Sequence, residues 1–142
     1  MVNPIYILIL SLAAGFLLTL IDKAGRKLSL TLLYGVLLFN VMVIFEWLYQ
    51  FVIFGKPTLI INTAGFSAPL SINLQLSLLE AFVLFLANLA GLMSAIFLFK
   101  KFKETHISGL ILYLILIMGV NGLVMTRDLF NMFVFLEIVS IS

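Results

Sequence analysis

Glu137 is an acidic residue inside the last apolar segment of the sequence. Counted from Asp128 in the preceding polar turn, a helical rise of about 1.5 Å per residue puts it roughly 13 to 14 Å into a hydrocarbon layer about 30 Å thick. A charged carboxylate at that depth costs at least about 2.5 to 3.5 kcal/mol, and intramembrane acids usually mark proton or ion pathways. The chemistry indicated for Glu137 is therefore the binding and release of a proton.

Three arrangements would make this carboxyl group tolerable in hydrocarbon: protonation, contact with water in a cavity, or pairing with a base. All eight lysines and arginines lie in loops or at the ends of apolar segments, so a base would have to come from another polypeptide. Ser140 shares the helical face of Glu137. Asn131 and Ser140 are weaker candidates for the same pathway. The alternative is a structural role, with Glu137 as a neutral hydrogen-bond anchor between helices.

Composition indicates an integral membrane protein. Hydrophobic residues make up 64% of the chain and charged residues 10%, against roughly 45–50% and 25% in soluble domains. The sequence contains no cysteine, which excludes disulfides and cysteine-ligated clusters, and we expect no cofactor on this chain. The residue types show no catalytic arrangement, so we predict no catalytic centre here. Whether the chain is a membrane subunit of an oxidoreductase complex stays open.

The apolar segments predict an all-α membrane fold in one domain, with four transmembrane helices and the first part of a fifth. Their approximate bounds are 3–21, 28–54, 78–99, 107–125 and 128–142. The last of these has fifteen residues from Asp128, fewer than the roughly 20 that span a bilayer. Segment 55–77 is broken by Gly and Pro and carries β-capable stretches at 58–62 and 70–74, which predicts an outer β-hairpin.

Other polar residues in or near the helices receive structural interpretations. Glu46 begins an aromatic cluster (46–51) typical of a membrane interface. Glu80 is interpreted as a solvated acid in the first turn of the third helix, where it suits the helix dipole. His106 has no second ligand nearby, which argues against a metal site. Interhelical hydrogen bonds are predicted for three asparagines: Asn40, Asn88 and Asn121.

Small residues mark surfaces where helices can approach closely. Ala87, Gly91 and Ala95 are spaced four apart on the third helix, which predicts a packing stripe. Gly119 and Gly122 are predicted to serve the same purpose near the end of the fourth helix.

The distribution of basic residues predicts the orientation. The loops at 22–27 and 100–106 carry three basic residues each, whereas the intervening hairpin carries Lys56 alone and the last turn carries Arg127 beside Asp128. By the positive-inside rule, the two basic loops are expected in the cytoplasm of a cell-membrane protein, with the N-terminus and the hairpin outside.

Segment 119–137 reads GVNGLVMTRDLFNMFVFLE and resembles the fourth and fifth helices of antiporter-like membrane subunits. That superfamily includes the large subunits of Mrp-type cation/proton antiporters, of membrane-bound hydrogenases and of respiratory complex I. A PLSINL stretch at 69–74 before the third helix fits the same pattern. Two positions differ from the family: Ser77, where an aspartate is frequent, and Arg127, where glycine is common. We expect the arginine to alter only an outer turn.

The resemblance implies that Glu137 is a proton-pathway residue paired with a lysine on a later, broken helix. The later helices are absent from this sequence, so we expect a partner subunit to supply the lysine. The implied function is a component of a multisubunit membrane complex that moves protons, or exchanges sodium for protons, with any electron carriers on partners. The alternative is a scaffold subunit that transports nothing and fills a helix interface in such a complex.

Overall fold

The computed structural model describes residues 3–62 and 73–142. Its elements follow one another in the order helix, helix, hairpin and four further helices, two of which are short. The α-helices and strands are α1 Tyr6–Ile21, α2 Arg26–Phe54, β1 Leu59–Asn62, β2 Asn73–Leu76, α3 Leu78–Phe97, α4 Phe99–Glu104, α5 Ile107–Met125 and α6 Leu129–Ile141, and a 3₁₀ helix covers Asp22–Ala24. Four of the helices, α1, α2, α3 and α5, are long and apolar enough to cross a membrane, and α6 is shorter. The predicted fold class is confirmed.

The helix ends differ from the predicted bounds by up to three residues, each for a local reason. Helix α1 begins at Tyr6, not at position 3, because the Asn3 side chain accepts a hydrogen bond from Ile5 N (3.1 Å) in a turn before it. Helix α2 begins two residues earlier than predicted. Gly25, at φ 125°, has a non-helical backbone conformation, and the helix begins at the next residue, Arg26. Asp128 lies outside α6 and caps it by accepting a hydrogen bond from Phe130 N (3.0 Å).

The third helix ends two residues earlier than predicted, and most of the predicted basic loop that follows it is helical. Helix α3 ends at Phe97, and a separate six-residue helix, α4, covers Phe99–Glu104 after a break at Leu98. The sequence has neither Gly nor Pro at this point, so no local signal marks the break. The buried side chain of Phe102 packs edge-on against Tyr113 of α5, with ring centroids 5.3 Å apart. Tertiary packing of this aromatic side chain therefore holds α4 against the bundle.

The predicted hairpin is confirmed, and its second strand runs further than expected. Strands β1 and β2 pair antiparallel, with Leu59 opposite Leu76 and Ile61 opposite Leu74. The second stretch was predicted at 70–74, of which 70–72 lie outside the described residues. Leu74 and Leu76 are fully buried, and Leu74 also forms a β-bridge with Thr126 after α5. The hairpin thus packs on one end of the helix bundle.

Two apolar clusters form the core, one toward each end of the bundle. The cluster near the hairpin includes Ile7, Val43, Ile44, Trp47, Phe51, Leu74, Leu84 and Met125. The cluster near the basic loops includes Ala14, Leu18, Leu33, Leu37, Ala95, Phe102, Leu110 and Leu114. On each of α1, α2 and α3, a buried polar side chain lies between residues of the two clusters. These side chains define a polar layer across the middle of the bundle: Ser11, Asn40 and Asn88.

Candidate functional site

Together with Asn121 of α5, the side chains of the polar layer form two interhelical hydrogen-bonded pairs. Asn88 of α3 and Asn121 of α5 exchange amide hydrogen bonds at 2.6 and 3.2 Å. Asn40 of α2 donates to the Ser11 hydroxyl of α1 at 3.1 Å, and that hydroxyl donates to the Ile7 carbonyl. Buried amides in an apolar bundle must find such partners, because an unpaired one costs free energy. The predicted interhelical role of all three asparagines is confirmed.

Helix α6 packs closely against α5 at two glycines of α5, Gly119 and Gly122. A Cβ at Gly122 would lie 2.2 to 2.5 Å from the Phe135 ring, and one at Gly119 would lie 2.8 Å from Val139 and 3.1 Å from Ile138. These distances leave no room for a side chain at either glycine, so the two helices approach closely here. Because the helices run antiparallel, these contacts place residue 137 of α6 at the same height along the bundle as residues 120 and 121 of α5. Glu137 therefore lies at the level of the polar layer.

Glu137 is on the opposite face of α6 from the side chains that contact α5, and it is exposed. Its carboxylate has no hydrogen bond or ion pair with any residue in 3–62 or 73–142. The neighbouring Ser140 hydroxyl donates to the Glu137 backbone carbonyl at 3.0 Å and leaves the carboxylate free of that bond. Large exposed apolar side chains surround this acid on α6: Phe130, Phe133, Val134, Leu136 and Ile141. The carboxylate thus belongs to a mainly apolar outer surface.

Asn131, the other weaker pathway candidate, is not brought to Glu137. Its buried side chain donates to the Asp128 carboxylate at 3.1 Å, in the cap of α6. Asp128 Oδ1 meanwhile accepts from Phe130 N, so Asn131 and Asp128 together hold the first turn of this helix. In this arrangement Asn131 positions α6.

The small residues of the α3 stripe contact two different helices, α5 at Gly91 and α2 at Ala95. Gly91 is buried, and a Cβ there would lie 2.7 Å from Ile117 of α5, while its carbonyl accepts from the Tyr113 hydroxyl at 2.5 Å. Ala95 is also fully buried, and its carbonyl accepts from the Tyr34 hydroxyl of α2 at 2.5 Å. Ala87 is only half-buried. The tight part of the stripe is therefore at Gly91 and Ala95.

The interpretation of Glu80 as a solvated acid is wrong. Its side chain is 7% exposed and forms a salt bridge with Arg127, which precedes α6. The second carboxylate oxygen accepts from Ser77 N at 3.1 Å in a capping box at the start of α3. The expectation that Arg127 alters only an outer turn is also too narrow, since it neutralises a buried acid. The Ser-x-x-Glu spacing of the capping box was a visible signal, but nothing in the sequence linked Arg127 to it.

The aromatic cluster and His106, also considered from the sequence, take part in packing and helix capping. The aromatic cluster is only partly at the surface: Tyr49 is half-exposed, but Trp47 is 9% exposed and packs in the core beside Phe51, with ring centroids 5.8 Å apart. Glu46 is half-buried. His106 caps α5, with its Nδ1 accepting from Ser108 N at 3.3 Å. In the described ranges, no three His, Cys, Asp or Glu side chains are grouped as metal ligands.

Comparison with known proteins finds similarity both in sequence and in structure. No family model matches the chain. Over 85 residues, 58% of this chain, it is 31% identical to a subunit of the Na(+)/H(+) antiporter of Alkalihalophilus pseudofirmus. That match covers 17% of the relative, so the chain spans about a sixth of the curated protein's length.

Two solved membrane complexes contain chains with the same fold. A chain of the membrane-bound sulfane sulfur reductase, an archaeal respiratory membrane complex, superposes with a TM-score of 0.86 at 26% identity, over 97% of this chain and 28% of that one. A chain of the Mrp complex from Dietzia sp. DQ12-45-1b gives a TM-score of 0.78 at 22% identity, over 99% of this chain and 26% of that one.

These similarities agree with the resemblance seen in segment 119–137. Together with the four apolar helices, they identify a multi-pass membrane protein. The predicted resemblance is confirmed, since the chain is similar in sequence to a subunit of a sodium/proton antiporter and in fold to chains of these two membrane complexes.

Proposed function

We propose that this chain is a subunit of a multisubunit membrane complex, either an Mrp-type antiporter or a related respiratory complex, and that Glu137 passes protons within it. One observation carries the proposal: the Glu137 carboxylate is unpartnered within 3–62 and 73–142, exposed on α6, and level with the polar layer in the middle of the bundle. An acid left charged in lipid at that depth is costly, whereas an acid facing a base or water can exchange a proton.

The surface around Glu137 supports a neighbouring helix as the source of that base. Phe130 is 73% exposed, Phe133 62% and Ile141 76%. Another transmembrane helix would cover this apolar surface and could bring a lysine to the carboxylate. A lysine suits the task because its pKa shifts readily on burial, so that the pair can exchange a proton instead of remaining a fixed ion pair. The partner helix would thus both cover the apolar surface of α6 and supply the base that exchanges a proton with Glu137.

The similar proteins support the same setting. One is named as a subunit of a sodium/proton antiporter, and the two structures are those of a respiratory membrane complex and of an Mrp complex. We extend to this chain the membership of a membrane complex and the coupling to proton or sodium/proton movement. The orientation proposed from the basic loops keeps 22–27 and 100–106 in the cytoplasm, so α6 would enter from the outer side.

The test is Glu137→Gln in the complex purified from native membranes and reconstituted into vesicles. Glutamine keeps the size and the hydrogen bonding but cannot exchange a proton, so we expect coupled ion movement to fall at least about tenfold, which corresponds to about 1.4 kcal/mol. The amount of assembled complex should not change. Glu137→Asp keeps a titratable group and should retain part of the activity. Glu46→Gln, at the half-buried acid of α2, is the matched control and should transport normally.

Full transport by Glu137→Gln would overturn the proposal. The scaffold role would then be preferred, in which α6 serves only to bind a neighbouring subunit.

A further inference from the structure

A groove of about 640 Å³ lies on the surface of the bundle beside the first turns of α2 and the short helix α4. Two lysines, Lys27 and Lys103, line it at the end of the bundle that carries the basic loops. The rest of the lining is mostly apolar or aromatic and includes Leu30, Tyr34, Leu38 and Phe99. The groove therefore combines two cations with an apolar wall.

Gly35 is part of the lining of this groove, and the space beside it is open. It lies on α2, and a Cβ added to it would meet nothing within 4 Å. Two neighbouring grooves share its lining: one of about 450 Å³ shares Thr31 and Gly35, and one of about 360 Å³ shares Tyr34 and Phe99. Apolar space thus extends from the groove toward Phe39 of α2 and toward Ile96 of α3.

Helix α4 fixes the position of Lys103. Phe102 is buried in the bundle, while Phe99 and Lys103, four residues apart, share another face. The Lys103 Nζ atom lies 4.5 Å from the centroid of the Phe99 ring, and that ring contacts Tyr34 of α2 with centroids 5.9 Å apart. Lys103 therefore lines the groove with its ammonium group beside the Phe99 ring.

Neither lysine forms an ion pair with an acid anywhere in the described ranges. Two unpaired cations beside an apolar groove at a membrane surface are complementary to a molecule with an anionic head and hydrocarbon tails. Basic pockets between transmembrane helices bind anionic lipid head groups by this means. We propose that the groove binds one anionic phospholipid, with its phosphate between Lys27 and Lys103 and an acyl chain along Gly35. This site is separate from Glu137 and does not depend on the proposed function.

The test is native mass spectrometry of the detergent-solubilised complex titrated with phosphatidylglycerol. Each lysine near a membrane surface contributes about fivefold in affinity, so Lys27→Gln together with Lys103→Gln should weaken binding about 25-fold. The matched control is Lys23→Gln together with Lys101→Gln, which removes the same charge from the same two exposed regions but does not touch the groove. The control should bind within about twofold of the wild type.

A second variant tests the apolar part without changing charge. Gly35→Leu places a side chain in the groove, and its Cβ would meet no protein atom within 4 Å. We expect it to reduce phosphatidylglycerol binding at least about tenfold. Phosphatidylcholine should bind weakly to all forms, and inorganic phosphate should not displace the lipid. The proposal is overturned if the Lys27/Lys103 variant binds as the wild type does, if the control pair loses as much affinity, or if Gly35→Leu has no effect.

Discussion

Glu80 and Glu137 are both carboxylates in long apolar stretches, but they differ in burial and in the partners of their side chains. Glu80 is in the first turn of α3, almost fully buried, and bonded to Arg127 and to Ser77 N. Glu137 is in the third turn of α6, exposed, and has no partner for its carboxylate within residues 3–62 and 73–142. The contrast separates a buried acid that stabilises the fold from an exposed acid to which the described residues give no such role.

Helix position explains part of the difference. An acid in the first turn is stabilised by the positive end of the helix dipole and by free backbone N–H groups. Deeper in a helix, the backbone N–H groups are already bonded, so only a side chain, water or another subunit can stabilise the charge. Glu80 receives backbone and side-chain partners from its own chain, whereas the Glu137 carboxylate receives neither from residues 3–62 and 73–142. We expect replacement of Glu80 to affect stability and replacement of Glu137 to affect transport.

The largest stability effect is expected at the Glu80 ion pair. Glu80→Ala removes both the salt bridge and the capping box, and we expect it to lower the free energy of unfolding by about 2 to 3 kcal/mol. Glu80→Gln keeps the capping acceptor and removes only the charge, so it should cost less. Transport per assembled complex should remain close to that of the wild type. Denaturant titration of the purified complex and vesicle transport measure the two quantities.

A double-mutant cycle isolates the ion pair itself. Glu80→Gln and Arg127→Gln, singly and together, should give a coupling energy of about 1 to 2 kcal/mol, since one partner is buried and the other is 47% exposed. A coupling below about 0.3 kcal/mol would make the pair equivalent to an ordinary surface contact. The structural role assigned to Glu80 would then rest on its cap alone.

The next effect concerns the contact that presents Glu137. Gly122→Ala places a Cβ against the Phe135 ring, so α6 has to shift. We expect a loss of about 1 to 2 kcal/mol from overpacking, together with reduced transport because the carboxylate moves with its helix. Gly35→Ala is the control, because its Cβ would enter open space and the better helix propensity should leave stability unchanged or raised by up to about 1 kcal/mol. Equal stability of the two variants would mean that α6 is not held by this contact.

The sequence predicted the features that local chemistry determines. The long helices follow from apolar length, the hairpin follows from Gly, Pro and β-capable residues, and the asparagine pairs follow from the need to satisfy buried amides. It did not predict the break at Leu98 or the burial of Trp47, because both depend on side chains packing across helices. The Glu80 to Arg127 pair was missed for the same reason, since it joins α3 to the turn before α6. No residue in 3–62 or 73–142 pairs with the Glu137 carboxylate, and its pairing with a base from another polypeptide stays a prediction.

The smallest effect is expected at the Asn88–Asn121 pair, which lies at the level of Glu137 but is satisfied within the chain. Interhelical hydrogen bonds in membranes contribute about 0.6 kcal/mol on average, so a cycle of Asn88→Leu and Asn121→Leu should give a coupling of that size. Each single variant should cost more than the coupling, because it leaves one buried amide unpaired. Transport should not change in the double variant, which still assembles. A loss of transport there as large as in Glu137→Gln would show that the polar layer takes part in the proton pathway, and the distinction between partnered and unpartnered polar groups would no longer separate structure from function.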